Sequence, residues 1–108
     1  MIRVILESPF AGEIERNILY ARRCIRHSLS LNEAPIASHL LYTQPGILDD
    51  NDPEQRRMGI DAGHAWLGVA QLVAFYVDYG MSPGMELAAL RVKERDMKFV
   101  IREIGKNP

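Results

Sequence analysis

The residues best suited to chemistry gather in Asp78-Tyr79-Gly80-Met81-Ser82-Pro83-Gly84-Met85-Glu86. Ser82 is a good helix N-cap, and Pro83 fits the first helical position, where its missing N–H costs nothing. Gly80 and Gly84 let the backbone turn sharply and approach a ligand closely. The apolar run Leu72 to Val77 leads in and helix formers from Glu86 to Glu94 lead out, so this stretch reads as a strand–loop–helix junction. Glu86 then stands in the first helical turn beside exposed backbone N–H groups. A carboxylate placed there suits chemistry on a sugar that carries an anionic group. The plainer alternative is a helix-start glutamate favoured by the dipole and open to water.

A second turn-rich stretch, Glu7-Ser8-Pro9-Phe10-Ala11-Gly12, follows the first apolar run, Ile2 to Leu6. His39 follows a short strand and opens a long loop, so it can meet the same crevice or serve as a hydrogen-bonded structural residue. His27 and His64 have no carboxylate or histidine partner at ligand spacing, so no metal site is expected from them. Asp49, Asp50, Asp52 and Glu54 form an acidic cluster, read as a cap at Asp52 with solvated neighbours rather than a Mg²⁺ site. No Gly-x-Ser-x-Gly elbow, Gly-x-Gly-x-x-Gly fingerprint or P-loop is present. Acyl transfer, dinucleotide binding and NTP hydrolysis are therefore unsupported, and no cofactor is expected.

The elements that must hold these residues follow from periodicity. Ile2 to Leu6 and Leu72 to Val77 read as strands buried on both faces. Ala34 to Ala37 is a weaker strand, and Met97 to Ile104 supplies the last. A helix after Gly12 carries Ile14, Ile18, Ala21, Ile25 and Leu29 as one apolar stripe, with Glu13, Glu15, Arg22, Arg23 and Arg26 on the other faces. Ser38 to Asp52 reads as irregular. Asp52-Pro53-Glu54-Gln55 opens another helix with a capping-box pattern, and Met58, Ala62, Ala65, Trp66 and Val69 are placed on its apolar face. Trp66 reads as core or subunit interface. Gly59 and Gly63 inside that helix imply close packing or close approach to a ligand.

The order β–α–β–α–β–α–β predicts a parallel sheet with helices on both faces. Placing the two most apolar strands in the centre gives a small flavodoxin-like α/β domain over residues 1–108, with strand order 2-1-3-4. Its switch point, where open α/β sheets bind ligands, lies between the first and third strands. The Glu7–Gly12 and Asp78–Glu86 loops meet there.

With 108 residues, 13 Lys+Arg against 14 Asp+Glu and a single cysteine, the chain suits one small globular domain. Near-zero net charge argues against a nucleic-acid partner, although the arginines from Arg16 to Arg26 leave room for a local basic patch. Cys24 is expected as a small buried side chain, with no disulfide framework. No run is long enough to span a bilayer and no signal peptide is expected, which makes a cytoplasmic setting the default.

Several motifs together carry a resemblance. They are Ser8-Pro9-Phe10-Ala11-Gly12 with Glu15 and Asn17, His39-Leu40-Leu41-Tyr42, Leu48-Asp49-Asp50 with Asp52-Pro53-Glu54, Gly59 and Gly63, and Ser82-Pro83-Gly84-Met85-Glu86. The chain resembles the nucleoside 2-deoxyribosyltransferase-like superfamily, and most nearly a group of small uncharacterised phage and bacterial proteins related to it. The resemblance implies a nucleoside or nucleotide-like ligand and cleavage or transfer at its N-glycosidic bond. Glu86 would attack or stabilise the anomeric carbon, and Ser82 and Gly84 would hold the 5′-hydroxyl or 5′-phosphate, with Asp78 in the same loop. Ser8, Pro9, Phe10, Ala11 and Gly12 would pack on base and sugar, with His39 nearby. Asp61 is the candidate acid toward the base, although its spacing departs from the family pattern. A homodimer or larger homo-oligomer is implied as well. The alternative is a module of the same fold that binds or senses a nucleotide derivative without turnover.

Overall fold

Val4, Ile5 and Leu6 in one strand and Val73, Ala74, Phe75 and Tyr76 in another are all buried, so both strands are covered on two faces. The computed structural model describes residues 1–106. Its four strands are β1 (Ile2–Glu7), β2 (Glu33–Ile36), β3 (Leu72–Tyr76) and β4 (Phe99–Arg102). They form one sheet in the order β2-β1-β3-β4, with every pairing parallel. The domain is α/β with the flavodoxin-like order predicted from the apolar runs.

Four helices accompany the sheet: α1 (Ile14–Ser30), α2 (Ser38–Leu41), α3 (Pro53–Ala65) and α4 (Pro83–Glu94). α1 packs Tyr20 and Cys24 on Val4, Leu6, Ala74 and Tyr76. On the opposite face, α4 packs Met85, Ala88 and Val92 on Ile5, Val73 and Phe75, with Leu67 from the 3-10 turn Trp66–Val69 completing that layer. No helix among the described residues is long and apolar enough to cross a membrane.

Several local expectations are corrected. The buried stripe of α1 is Asn17, Tyr20, Ala21, Cys24 and Ser28, whereas Ile14 and Leu29 are exposed. Two polar residues replace the predicted aliphatic ends because each has a hydrogen-bond partner. Asn17 Nδ2 donates to the carbonyls of Phe10 and Ala11, and Ser28 Oγ donates to Glu33. The predicted apolar face of α3 is also displaced: Met58 is 60% exposed and Trp66 44%. Trp66 is not core; its indole N–H donates to the Tyr42 hydroxyl at the surface. The stretch read as irregular contains α2, which packs so closely on α3 that a Cβ on Gly63 would lie 2.4 Å from Ser38 Oγ. Asp52 occupies the N-cap position of α3 but accepts from the Gln55 side chain instead of a backbone N–H.

One buried ion pair ties the outer strands together. Arg102 donates from both terminal nitrogens to Glu33, at 2.9 and 2.6 Å, and also to the Tyr76 hydroxyl. Hydrogen bonds from Arg102, helped by Ser28, outweigh burial and hold the Glu33 carboxyl below its ordinary range.

Candidate functional site

β1 ends in Glu7 and β3 is followed by the Asp78–Ser82 loop, so the carboxyl ends of the two central strands open into one crevice, as expected of a switch point. A cleft of about 120 Å³ lies there. Its floor is Glu7 and Ser8, with Phe10 and Ala11 beside them. One wall is Ser82, Pro83, Gly84 and Met85 at the start of α4; another is Ser38, His39, Tyr42 and Thr43. Asp50 and the α3 residues Arg56, Gly59, Ile60 and His64 close the remaining side.

Asn17 holds the Phe10–Ala11 rim through its two carbonyl contacts, at 2.9 and 3.2 Å. Ser82 caps α4 as its residue type predicts, accepting the Met85 N–H at 3.3 Å, while Glu86 N–H donates to the Ser82 carbonyl. Pro83 has no N–H and that of Met85 is taken, which leaves Gly84 as the open backbone donor among the first three residues of the helix. The α4 terminus is therefore a narrower anion cradle than the loop sequence suggests.

The floor holds the most perturbed groups. Ser8 Oγ and His39 Nε2 are hydrogen-bonded at 2.7 Å, and His39 Nδ1 is buried with no partner. Burial pulls the His39 pKa down to about 4, so the ring is neutral at pH 7. Glu7 is mostly buried, and no cation or hydrogen-bond donor among the described residues reaches its carboxyl group. Burial alone pushes its pKa up to about 8, which makes it a carboxylic acid at neutral pH. Across the cleft, Asp50 and Arg56 form an ion pair at 3.0 Å.

Six of the residues selected from sequence line the cleft: Ser8, Phe10, Ala11, His39, Ser82 and Gly84. Pro9 is buried and Gly12 exposed, and neither lines it. Glu86 lies in the first turn of α4 as expected, but it is exposed and outside the lining. Asp61 is on an exposed face of α3 and does not share the cleft with Glu7. Asp78 is occupied structurally: its carboxylate accepts from the Tyr20 hydroxyl at 2.5 Å and from the N–H groups of Ile104 and Gly105. Glu7 was legible only as the residue that stops the first strand; its signal was a lone acid ending an apolar run that points into a switch point.

A model of a domain of unknown function, DUF7768, matches residues 2–102. The chain belongs to the DUF7768 family. Neither a curated protein nor a solved structure matches it. The matched span of this DUF7768 domain runs from the first residue of β1 to the last of β4, so it takes in the whole sheet and the cleft. Among the described residues, no group of three or more His, Cys, Asp or Glu side chains is arranged to hold a metal ion.

Proposed function

We propose that the cleft binds a nucleoside or nucleotide-like ligand and that Glu7 is the general acid in breaking or exchanging its N-glycosidic bond. The observation that carries this is that Glu7 lines the cleft with no hydrogen-bond or ion-pair partner among the described residues, and burial pushes its carboxyl up to about 8. When the bond between C1′ and the base nitrogen breaks, its electron pair leaves with the base. An acid still protonated at neutral pH neutralises that charge, a contribution typically of about 10² to 10⁴ in rate. The new bond to C1′ comes from water in hydrolysis or from a carboxylate in transfer. Glu86 remains the candidate for the opposite role through the family resemblance, and it directly follows Met85, which lines the cleft. Its exposure means that this role requires a ligand reaching out over the α4 end of the cleft.

The test is release of free base from a panel of nucleoside 5′-monophosphates, followed by chromatography, with Glu7→Gln and Glu86→Gln assayed in parallel. Glu7→Gln is expected to slow release by about a hundredfold or more. Release at the parent rate in that variant sinks the mechanism.

One observation favours a second reading, binding without turnover. The other carboxylate lining the cleft, Asp50, is paired with Arg56, and Glu86 is exposed. No unpaired carboxylate therefore faces the ligand from the lining. Thermal stabilisation by a nucleotide that is recovered unchanged would support this reading.

A further inference from the structure

The core holds α1 through Tyr20, Ala21 and Cys24 and holds α4 through Met85, Ala88 and Val92. It does not hold α3 in this way. Among the described residues, Gly63 is the one buried along α3, and α2, which packs on it, buries none. An isolated helix of 13 residues is marginal in water, and Gly59 and Gly63 weaken this one further. Burial must supply what propensity does not, and the single chain supplies little of it.

The face that α3 turns to solvent is apolar. Met58, Ala62 and Trp66 follow one another at intervals of four residues, which sets them in one ridge along the helix. Met58 is 60% exposed and Trp66 44%. Beside the ridge lies the charge-free segment 41–48, with Leu41 and Ile47 each 52% exposed. That segment is fastened in place. Trp66 donates to the Tyr42 hydroxyl, Leu48 N–H donates to the Tyr42 carbonyl, and the Leu48 side chain abuts Gly59. Helical spacing puts Glu54, Arg57 and Asp61 along the other side of the ridge. An aromatic ring and a methionine in the middle, with charges confined to the border, is the make-up of a protein–protein interface.

We infer that this ridge is where a second copy of the chain docks, with the two α3 helices antiparallel about a twofold axis at Ala62. Met58 and Trp66 stand equally far from Ala62 along the helix. The axis therefore sets each methionine against the other copy's indole ring, a favourable sulfur–aromatic contact, while the small Ala62 lets the helices come close. The ridge is its own complement. Because Tyr42 already accepts the Trp66 N–H, burying the ring strands no donor. The opposite sides of the two helices line the cleft, with His39 on α2 and Gly59, Ile60 and His64 on α3. Association thus braces two cleft walls from behind.

The experiment needs no ligand and does not depend on the N-glycosidic reading. Sedimentation equilibrium of the full chain at micromolar concentration is expected to give twice the chain mass of 12.2 kDa. Met58→Glu should raise the dissociation constant by about thirtyfold or more, the effect of losing an interface hot spot. Leu90→Glu, at a comparably open apolar site on α4, should leave it unchanged. Trp66 is the chain's one tryptophan, so its emission should lie at shorter wavelength in the parent protein than in dissociated Met58→Glu. Ala62→Cys places two thiols across the axis and should give a disulfide-linked dimer on mild oxidation. A mass of 12.2 kDa for the parent protein up to millimolar concentration overturns the inference, whether or not the variants fold. So does a dimer that survives Met58→Glu and fails to cross-link through Ala62→Cys.

Discussion

Ser8 Oγ and His39 Nε2 lie 2.7 Å apart and join the exit of β1 to the first turn of α2, across 31 residues of sequence. The contact fixes the floor of the cleft relative to one of its walls. It also satisfies one nitrogen of a ring whose other nitrogen is buried without a partner. Removing the serine hydroxyl by Ser8→Ala leaves both ring nitrogens unsatisfied. We expect a loss of about 1–2 kcal/mol, read as a fall of several degrees in thermal midpoint for a domain of this size. An unchanged midpoint would mean that water replaces the serine at no cost.

Stability should be highest at mildly acidic pH, because the two perturbed groups on the cleft floor pull in opposite directions. Glu7 titrates near 8 in the folded protein and near 4.5 in the unfolded chain. Between these values the folded state holds a proton that the unfolded state has released, so stability declines as pH rises. His39 titrates near 4 folded and 6.5 unfolded, so stability declines as pH falls through that window. Glu7→Gln removes the alkaline arm, with an expected gain of up to about 4 kcal/mol at pH 8 and little at pH 4.5. Denaturant unfolding across the pH range measures both arms. A Glu7→Gln curve parallel to the parent curve would contradict the assignment.

Gly63→Ala should destabilise by about 1–3 kcal/mol through overpacking. The new Cβ would meet Ser38 Oγ at 2.4 Å and Ser38 Cβ at 3.1 Å, so rotating the hydroxyl away relieves only part of the clash. Adding Ser38→Gly should recover much of the loss, giving a coupling energy in the double-mutant cycle. Additive losses would show that the two helices separate rather than clash.

Arg102→Met strands the Glu33 carboxylate, which is 5% exposed, without its cation. The expected cost is about 3–5 kcal/mol at neutral pH, and much less when Glu33→Gln is made as well. Glu33 is held below its ordinary range by Arg102, so the stability it contributes in the parent protein is lost as pH falls through the folded carboxyl's titration. Chemical unfolding of the single and double variants at pH 7 and below pH 4 separates these effects.

The strand order was legible because Val4-Ile5-Leu6 and Val73-Ala74-Phe75-Tyr76 are unbroken apolar runs, which only central parallel strands can bury on both faces. The start of α4 was legible because Ser82 and Pro83 carry cap chemistry in their residue types. The helix faces were not. Asn17 and Ser28 are buried through partners just before and just after the helix, and Trp66 has a surface partner in Tyr42, so apolarity alone misplaced them. At the cleft, the two loops were found from turn residues. Glu7 was passed over because burial, the property that makes it unusual, comes from helices and loops packed around the strand tip and leaves no mark on the residues beside it. Glu86 and Asp61 were selected by type and motif, and neither feature reports which way a side chain faces.

The all-parallel ladder has a consequence for synthesis. β1 is made before both strands it pairs with, β2 and β3, and its register with β3 joins Val4 to Leu72. β2 can cover one edge of β1 early, but the other edge must wait, open, until β3 has been translated. Contacts so distant in sequence form slowly, and exposed strands invite association in the interval. The ribosome-bound chain, rather than the finished domain, is where this protein is most exposed to aggregation.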